Sequence, residues 1–99
     1  MLFVLEGVDA PNSLAIRKLA RPAHLARVQA LADANRLVIA GPMPRIEAQD
    51  PGEAGFSGSL IIAEFASQHE AENWLANDPY TTGGVFERTS VRPFRRVLP

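Results

Sequence analysis

"GSLIIAEFASQHE", residues 58–70, contains the clearest strand pattern of the chain, followed directly by a helix start. Apolar side chains point to both sides of Gly58–Phe65, which is typical of a strand buried on both faces. Residues 67–70 have the Ser-x-x-Glu pattern of a capping box, in which each side chain satisfies a backbone N–H of the other residue. The stretch therefore predicts a strand, a short loop and a helix. The helix must end before Asp78, because Asp78 precedes Pro79.

The preceding half of the chain also alternates strand and helix. Leu2–Val8 is rich in branched and aromatic residues and predicts a strand. We expect a short helical turn at Ser13–Ala20 and the main first helix at Pro22–Ala34. A proline suits the first turn of a helix and disfavours helical dihedrals in the residue before it. Arg36–Gly41 predicts a second strand. The connection Gly41–Ser57, with three prolines and three glycines, is long enough to be a lid, a binding loop or a partner contact.

Val85–Val97 completes the pattern as a last strand, and Pro93 within it favours a sheet edge or a strand end. The order strand, helix, strand, strand, helix, strand with right-handed crossovers predicts an α+β, ferredoxin-like βαββαβ fold in a single domain, residues 1–99. Two helices cover only one face of the sheet. Because the middle strands are apolar on both faces, we expect a second copy to cover the other face in a homodimer.

Composition excludes several classes of function. The formal net charge is −1 and the pI about 6.1, so the charge balance favours neither nucleic acid nor anionic membranes. The sequence also lacks the paired, exposed aromatic residues in a basic setting that would predict an RNA-binding sheet. No apolar run approaches a membrane span, no signal peptide is recognisable, and cysteine is absent, so a cytoplasmic location is expected. Without HExxH, a carboxylate cluster or a glycine-rich phosphate loop, we predict neither a metal nor a cofactor.

His24 is the main candidate for chemistry. The chain has two histidines, and His69 lies in the capping box, where a solvated surface position is expected. His24 precedes Leu25 at the rim of an apolar helix stripe. If the helix begins at Pro22, its N-terminus disfavours a positive charge on the imidazole and favours a neutral base.

A histidine base usually has a carboxylate that orients it. The chain offers four aspartates as candidates: Asp9, Asp33, Asp50 and Asp78. Asp33 is too far along the same helix, since each residue adds roughly 1.5 Å. Asp78 is attractive because Pro79 restricts its backbone at the end of the second helix. Spacing alone does not bring it to His24, and a plain turn residue is the competing interpretation.

Other residues fit a binding pocket. Arg17 and Arg21 could hold a carboxylate, although arginines on a helix are often plain surface. Gly41, Pro42 and Met43 could line a wall or form a rigid turn. Ser59 is a ligand-binding candidate; no GxSxG elbow makes it a nucleophile.

The chain resembles the YciI family, whose domain is called the YCII-related domain. The matching stretches follow in order along nearly the whole sequence: RPAHLARVQAL, AGPMP, DPGEAGFSGSLIIAEF, DPY and SVRPF. The resemblance implies a dimeric α+β barrel of ferredoxin-like subunits. It also implies an active site with a histidine–aspartate pair, which by motif are His24 and Asp78. Some relatives resemble dehydrochlorinases that act on chlorinated muconolactones or hydroxymuconates.

Two functions remain open at the level of sequence. The first is a small cofactor-free enzyme, in which His24 acts as general base or acid and Asp78 orients it. Its reaction would be an elimination such as dehydrochlorination, an isomerisation or a hydrolysis of a small anionic metabolite. The second is a non-catalytic ligand-binding or accessory dimer, since a fold does not fix a function. A pH–rate profile that depends on His24 favours the first, and saturable binding without turnover favours the second.

Overall fold

A computed structural model describes all residues, 1–99. The four strands form one antiparallel sheet, with the third and first strands of the chain in the middle and the second and fourth at the edges. This arrangement confirms the predicted ferredoxin-like α+β fold. The elements along the chain are β1 (Leu2–Asp9), α1 (Leu14–Asp33), β2 (Leu37–Pro44), β3 (Phe56–Glu64), α2 (Gln68–Ala76), α3 (Pro79–Thr82) and β4 (Phe86–Phe94).

The core lies between the helices and one face of the sheet. Side chains of β1 alternate between buried and half-buried, because successive residues of a strand point to opposite faces. Phe3 and Leu5 face the helices and are almost fully buried. The other core residues from the helices and strands are Val28, Leu31, Ile61, Ala63, Phe65, Ala71, Leu75, Tyr80, Val85 and Phe86.

The opposite face of the sheet is apolar and has no cover within the chain. Val4, Leu60 and Ile62 are half-buried there, and Ile39 is 58% exposed. The expected two-sided pattern is confirmed for β3. In β2 a register irregularity pairs Leu37 with Ala63 and Ile39 with Ile62, so Leu37 and Ile39 do not share one face as regular alternation would place them.

Helix α1 is continuous over 20 residues, with Pro22 in its interior. The predicted break between Ser13–Ala20 and Pro22–Ala34 was therefore wrong. A proline inside a helix removes one hydrogen bond and costs about 3 kcal/mol. Here Arg17 before the proline and His24 and Val28 after it are all buried. Packing of both halves outweighs the local preference, as tertiary contacts commonly do for helices.

The connection between β2 and β3 is shorter than Gly41–Ser57, because β2 extends to Pro44 and β3 begins at Phe56. Proline is tolerated in an edge strand, and β2 is one. Pro93 lies in the other edge strand, β4, as predicted. At the start of α2 the Ser67 side chain accepts a hydrogen bond from the backbone N–H of Glu70 at 3.1 Å, which forms one half of the predicted capping box. The helices are all too short or too polar to cross a membrane.

Candidate active site

The central feature of the site is a buried contact between α1 and the junction of α2 with α3. His24 Nδ1 lies 2.7 Å from Asp78 Oδ2. Asp78 is fully buried, and its side chain also caps α3 by accepting from the backbone N–H of Tyr80 at 3.0 Å. The two sequence interpretations of Asp78 are thus compatible: it is a turn residue and it contacts His24. An ionised carboxylate only accepts hydrogen bonds, so Nδ1 of His24 carries the proton.

Arg27 is a second partner of the same carboxylate. Its Nη1 donates to Asp78 Oδ1 at 2.9 Å and to the backbone carbonyl of Trp74 at 3.0 Å. Its guanidinium lies 4.3 Å from the centre of the Trp74 ring. Because Arg27 balances the buried charge of Asp78, His24 can be neutral without leaving that carboxylate unpaired.

Tyr80 fixes the plane of the His24 ring. The two rings stack with centres 3.9 Å apart and planes inclined by 12°. The second imidazole nitrogen, Nε2, makes no hydrogen bond within the chain. Thr81 Oγ1 is the one side-chain nitrogen or oxygen that is both fully buried and without a partner. Because Nε2 also lacks a partner, it is not fully buried and is therefore accessible. Burial raises the pKa of the Tyr80 hydroxyl above its ordinary value of 10.0, and the neighbouring Arg17 partly opposes that rise.

His24 opens into a cleft of about 600 Å³ between α1 and the β2–β3 half of the sheet. Three cationic side chains line it, Arg17, Lys18 and Arg21, and no aspartate or glutamate does. The remaining lining is largely apolar, so the cleft suits an anionic ligand with an apolar body. The other lining residues are Leu14, His24, Leu25, Val28, Leu37, Ala40, Gly41, Pro42, Gln49, Phe56, Ser59, Ile61 and Tyr80.

A second buried ion pair borders the cleft through Arg17. Arg17 donates from Nε to Asp9 Oδ2 at 3.0 Å and from Nη2 to Asp9 Oδ1 at 2.8 Å. Nη2 also donates to Ser59 Oγ at 2.9 Å, and Ser13 Oγ donates to Asp9 at 3.0 Å. The guanidinium carbon lies 4.7 Å from the Tyr80 ring centre.

The structure brings most of the predicted pocket residues to the cleft. Arg21, Gly41, Pro42 and Ser59 line it, and their role in binding stays a prediction. Met43 does not line it. From Ile39 to Met43, where the pairing is regular, successive residues of β2 point to opposite faces, and Met43 pairs with Gly58 on the face away from the helices.

The predicted reason for a neutral His24 was also wrong, because α1 begins at Leu14 and His24 lies far from the helix N-terminus. Of the other aspartates considered, Asp9 pairs with Arg17 instead. Gln49, from the loop between β2 and β3, lines the cleft. His69 is exposed.

Two residues of the site were missed. Arg27 follows His24 by three positions, and a helix places such residues on one side, so spacing could have indicated it. Tyr80 follows Asp78 directly in the DPY motif, but its stacking on His24 depends on the tertiary fold. The structure has no group of three or more histidine, aspartate or glutamate side chains placed to hold a metal ion.

The whole chain matches a known family. The sequence profile of the YCII-related domain covers residues 1–95. The chain belongs to the YCII-related domain family. It is 52% identical over 98 residues to Protein YciI of Escherichia coli O6:H1 (strain CFT073), which covers 99% of this chain and all of that protein. An uncharacterized protein of Haemophilus influenzae is 44% identical over the same shares of both chains.

Among solved structures, the chain is similar to a 5-chloro-2-hydroxyhydroquinone dehydrochlorinase, TftG of Burkholderia phenoliruptrix AC1100, in complex with 2,5-dihydroxybenzoquinone. The TM-score is 0.83 at 30% identity, over 96% of this chain and 94% of that one. An antibiotic biosynthesis monooxygenase matches with a TM-score of 0.50 at 13% identity, over 99% and 100% of the two chains. That second likeness concerns the fold alone.

Proposed function

We propose that this protein is a cofactor-free enzyme that transfers a proton to or from a small anionic metabolite through His24. One observation carries the proposal. The Asp78 carboxylate, which is fully buried, holds the imidazole of His24 at Nδ1, while Nε2 is accessible. His24 also lines the cleft that contains three cationic side chains. A group restrained on one side and free on the other has the geometry of a general base or acid.

Asp78 orients the base in this proposal. With the proton of Nδ1 donated to Asp78, Nε2 carries the lone pair that accepts a proton from the substrate. The carboxylate then stabilises the imidazolium that forms. Arg27 is a positioning residue, since it holds the second oxygen of Asp78 and does not line the cleft.

The substrate class follows from the lining of the cleft. Three cations and no carboxylate favour an anion, and Phe56, Val28 and Ile61 favour a flat apolar ring. The similarity to a dehydrochlorinase in complex with a dihydroxybenzoquinone supports a hydroxylated six-membered ring. In an elimination, His24 takes a proton from the substrate and the released electron pair forms a new π bond. The carbon–chlorine bond breaks and chloride leaves with its electrons, so the step needs no oxidant.

The same base would serve an isomerisation or a hydrolysis. The alternative is a ligand-binding or accessory module, in which the cleft holds the same class of anion without turnover. Measured turnover is what separates an enzyme of any of these types from the module.

The test is chloride release from 5-chloro-2-hydroxyhydroquinone and from chlorinated muconolactones, with a blank that lacks protein. We expect the wild-type protein to accelerate release from at least one compound. His24→Gln should lower the rate about 100-fold or more, which is the usual contribution of a general base. His69→Gln makes the same change at an exposed position and should leave the rate unaltered. Saturable binding without turnover would support the module, and equal rates for the His24 variant would exclude His24 as the base.

We further propose that two copies associate through the apolar face of the sheet that the helices leave uncovered. Val4, Leu60 and Ile62 form this face, and the family resemblance supports a dimer. Ile62→Asp should give monomers, because pairing would bury an unpaired charge. Light scattering measures the mass, and circular dichroism separates dissociation from unfolding. A folded wild-type monomer at micromolar concentration would contradict the proposal.

A further inference from the structure

Besides His24, the cleft lining contains the guanidinium of Arg17 and the hydroxyl of Tyr80. We call these two groups the Arg17–Tyr80 pair. We propose that this pair binds an ionised oxygen of the ligand, a phenolate or an enolate, while His24 handles the proton. The inference rests on the proposed function and names the group that stabilises the negative charge which proton removal creates.

Arg17 is a buried side chain held in place by its neighbours, not a charge on the surface. Its side chain is 5% exposed, although it lines the cleft. Asp9 and Ser59 hold Nε and Nη2, while Nη1 takes part in neither contact. A guanidinium held at two nitrogens is fixed in orientation before a ligand arrives. The guanidinium of Arg17 also lies over the rings of Phe56 and Tyr80, which restrain it further, and both of those residues line the cleft.

Tyr80 connects the Arg17–Tyr80 pair to His24. The imidazole stacks on its ring, and the Arg17 guanidinium carbon lies 4.7 Å from the same ring. Arg17 and His24 are also two helical turns apart on α1, which places them on one face. Tyr80 therefore contacts both His24 and Arg17, and all three residues line the same cleft. The Tyr80 hydroxyl is a donor at neutral pH, and burial raises its pKa further above the ordinary value of 10.0.

The two other cations of the cleft are less suited to this role. Lys18 and Arg21 are exposed, where water and salt screen their charges. Arg17 lies in a region of lower dielectric constant, where a charge acts more strongly. Asp9 balances Arg17 from outside the cleft lining, and Asp78 is paired with Arg27. No uncompensated carboxylate therefore opposes an anion there.

The probe for this inference is 4-nitrophenol, a ring with one ionisable oxygen whose phenolate form alone is yellow. We titrate it bound to the protein and follow the absorbance of the phenolate. We expect about tenfold tighter binding of phenolate than of phenol by the wild-type protein, read as a shift of the titration midpoint to lower pH. 4-Nitroanisole, which has no ionisable oxygen, should bind more weakly.

Tyr80→Phe and Arg17→Lys should each reduce the preference for phenolate at least threefold. Arg95→Gln removes one positive charge from an exposed position outside the cleft and should preserve it. Arg17→Lys leaves a cation for Asp9; if that variant does not fold, Tyr80→Phe decides alone, because it removes a single oxygen. Absence of nitrophenol binding to the wild-type protein, or an unchanged preference in the folded variants, would overturn the inference.

The outcome is separable from that of the proposed function. His24→Gln should lower turnover about 100-fold or more yet keep the phenolate preference, because it leaves the Arg17–Tyr80 pair in place. Wild-type protein that prefers phenolate without turning over any substrate would sustain the pair and defeat the enzyme. Turnover that depends on His24, with no phenolate preference, would do the opposite.

Discussion

Asp9 and Asp78 are two buried carboxylates that use the same helix differently. Both are almost free of solvent contact, and both bind side chains of α1. Asp9 binds Arg17, whose guanidinium serves as a permanent cation. Asp78 binds His24, a type of side chain that can act as a general acid or base. One carboxylate thus anchors α1 to the sheet, and the other is suited to orient a group that changes charge.

The partners of the two carboxylates, Arg17 and His24, also differ in how many of their nitrogens the carboxylate holds. Arg17 is held by Asp9 through two nitrogens. His24 is held through one nitrogen, and Arg27 carries the charge balance for Asp78. A carboxylate with a second, permanent cation tolerates changes of protonation in its first partner. This difference predicts that Asp9 matters most for stability and Asp78 most for activity.

Asp9→Asn should have the largest effect on stability. The substitution leaves the guanidinium of Arg17 buried without a counter-charge, and broken buried pairs typically cost about 3 kcal/mol or more. Urea unfolding measures the loss. Asp33→Asn is the matched control at an exposed carboxylate and should change stability by less than about 0.5 kcal/mol. Similar small losses in both variants would remove the anchoring role of Asp9.

Asp78→Asn should lower stability less and activity more. Asparagine can still accept from the Tyr80 N–H, and Arg27 is partly exposed, so water can solvate its charge. We expect a loss of about 1–2 kcal/mol in urea unfolding. Turnover should fall about 100-fold, because asparagine cannot stabilise an imidazolium as a carboxylate does. An Asp78→Asn variant that is as unstable as Asp9→Asn but fully active would contradict the predicted difference between the two carboxylates.

Tyr80→Phe should have the smallest effect on stability, and only at high pH. A raised pKa in the folded state means that the folded protein holds the tyrosine proton more tightly than the unfolded chain. The stabilisation of the folded state that results is fully present below the ordinary pKa of 10.0. It is lost as pH rises through the pKa of Tyr80 in the folded protein. As pH rises above the ordinary pKa of 10.0, wild-type stability should fall more than that of Tyr80→Phe. Parallel pH profiles in urea unfolding would contradict the assignment.

Local rules predicted most of the fold and failed where distant contacts decide. The alternation in β3 and the cap at Ser67 depend on neighbouring residues, and both were predicted correctly. The break before Pro22 was predicted from dihedral preferences alone. The burial of Arg17 and His24 on either side of that proline is a tertiary effect that such preferences do not contain.

The candidate site shows the same limit more strongly. His24 and Asp78 are 54 residues apart, and only the family resemblance joined them before the structure did. The direction of Met43 followed from the true end of β2, which the sequence placed too early. The burial of Arg17 could not be predicted, because its partners Asp9 and Ser59 lie on two strands that spacing does not bring to α1.

The prolines at the two edges of the sheet have a consequence for assembly at high concentration. Pro42 and Pro44 lie in β2 and Pro93 in β4, and each withholds a backbone donor from any strand that would join there. Addition of further strands along the hydrogen-bonding direction, the route to open-ended fibres, is thereby penalised at both ends. The uncovered apolar face of the sheet carries no such penalty, so strand-by-strand growth is the mode of association that the two edges oppose.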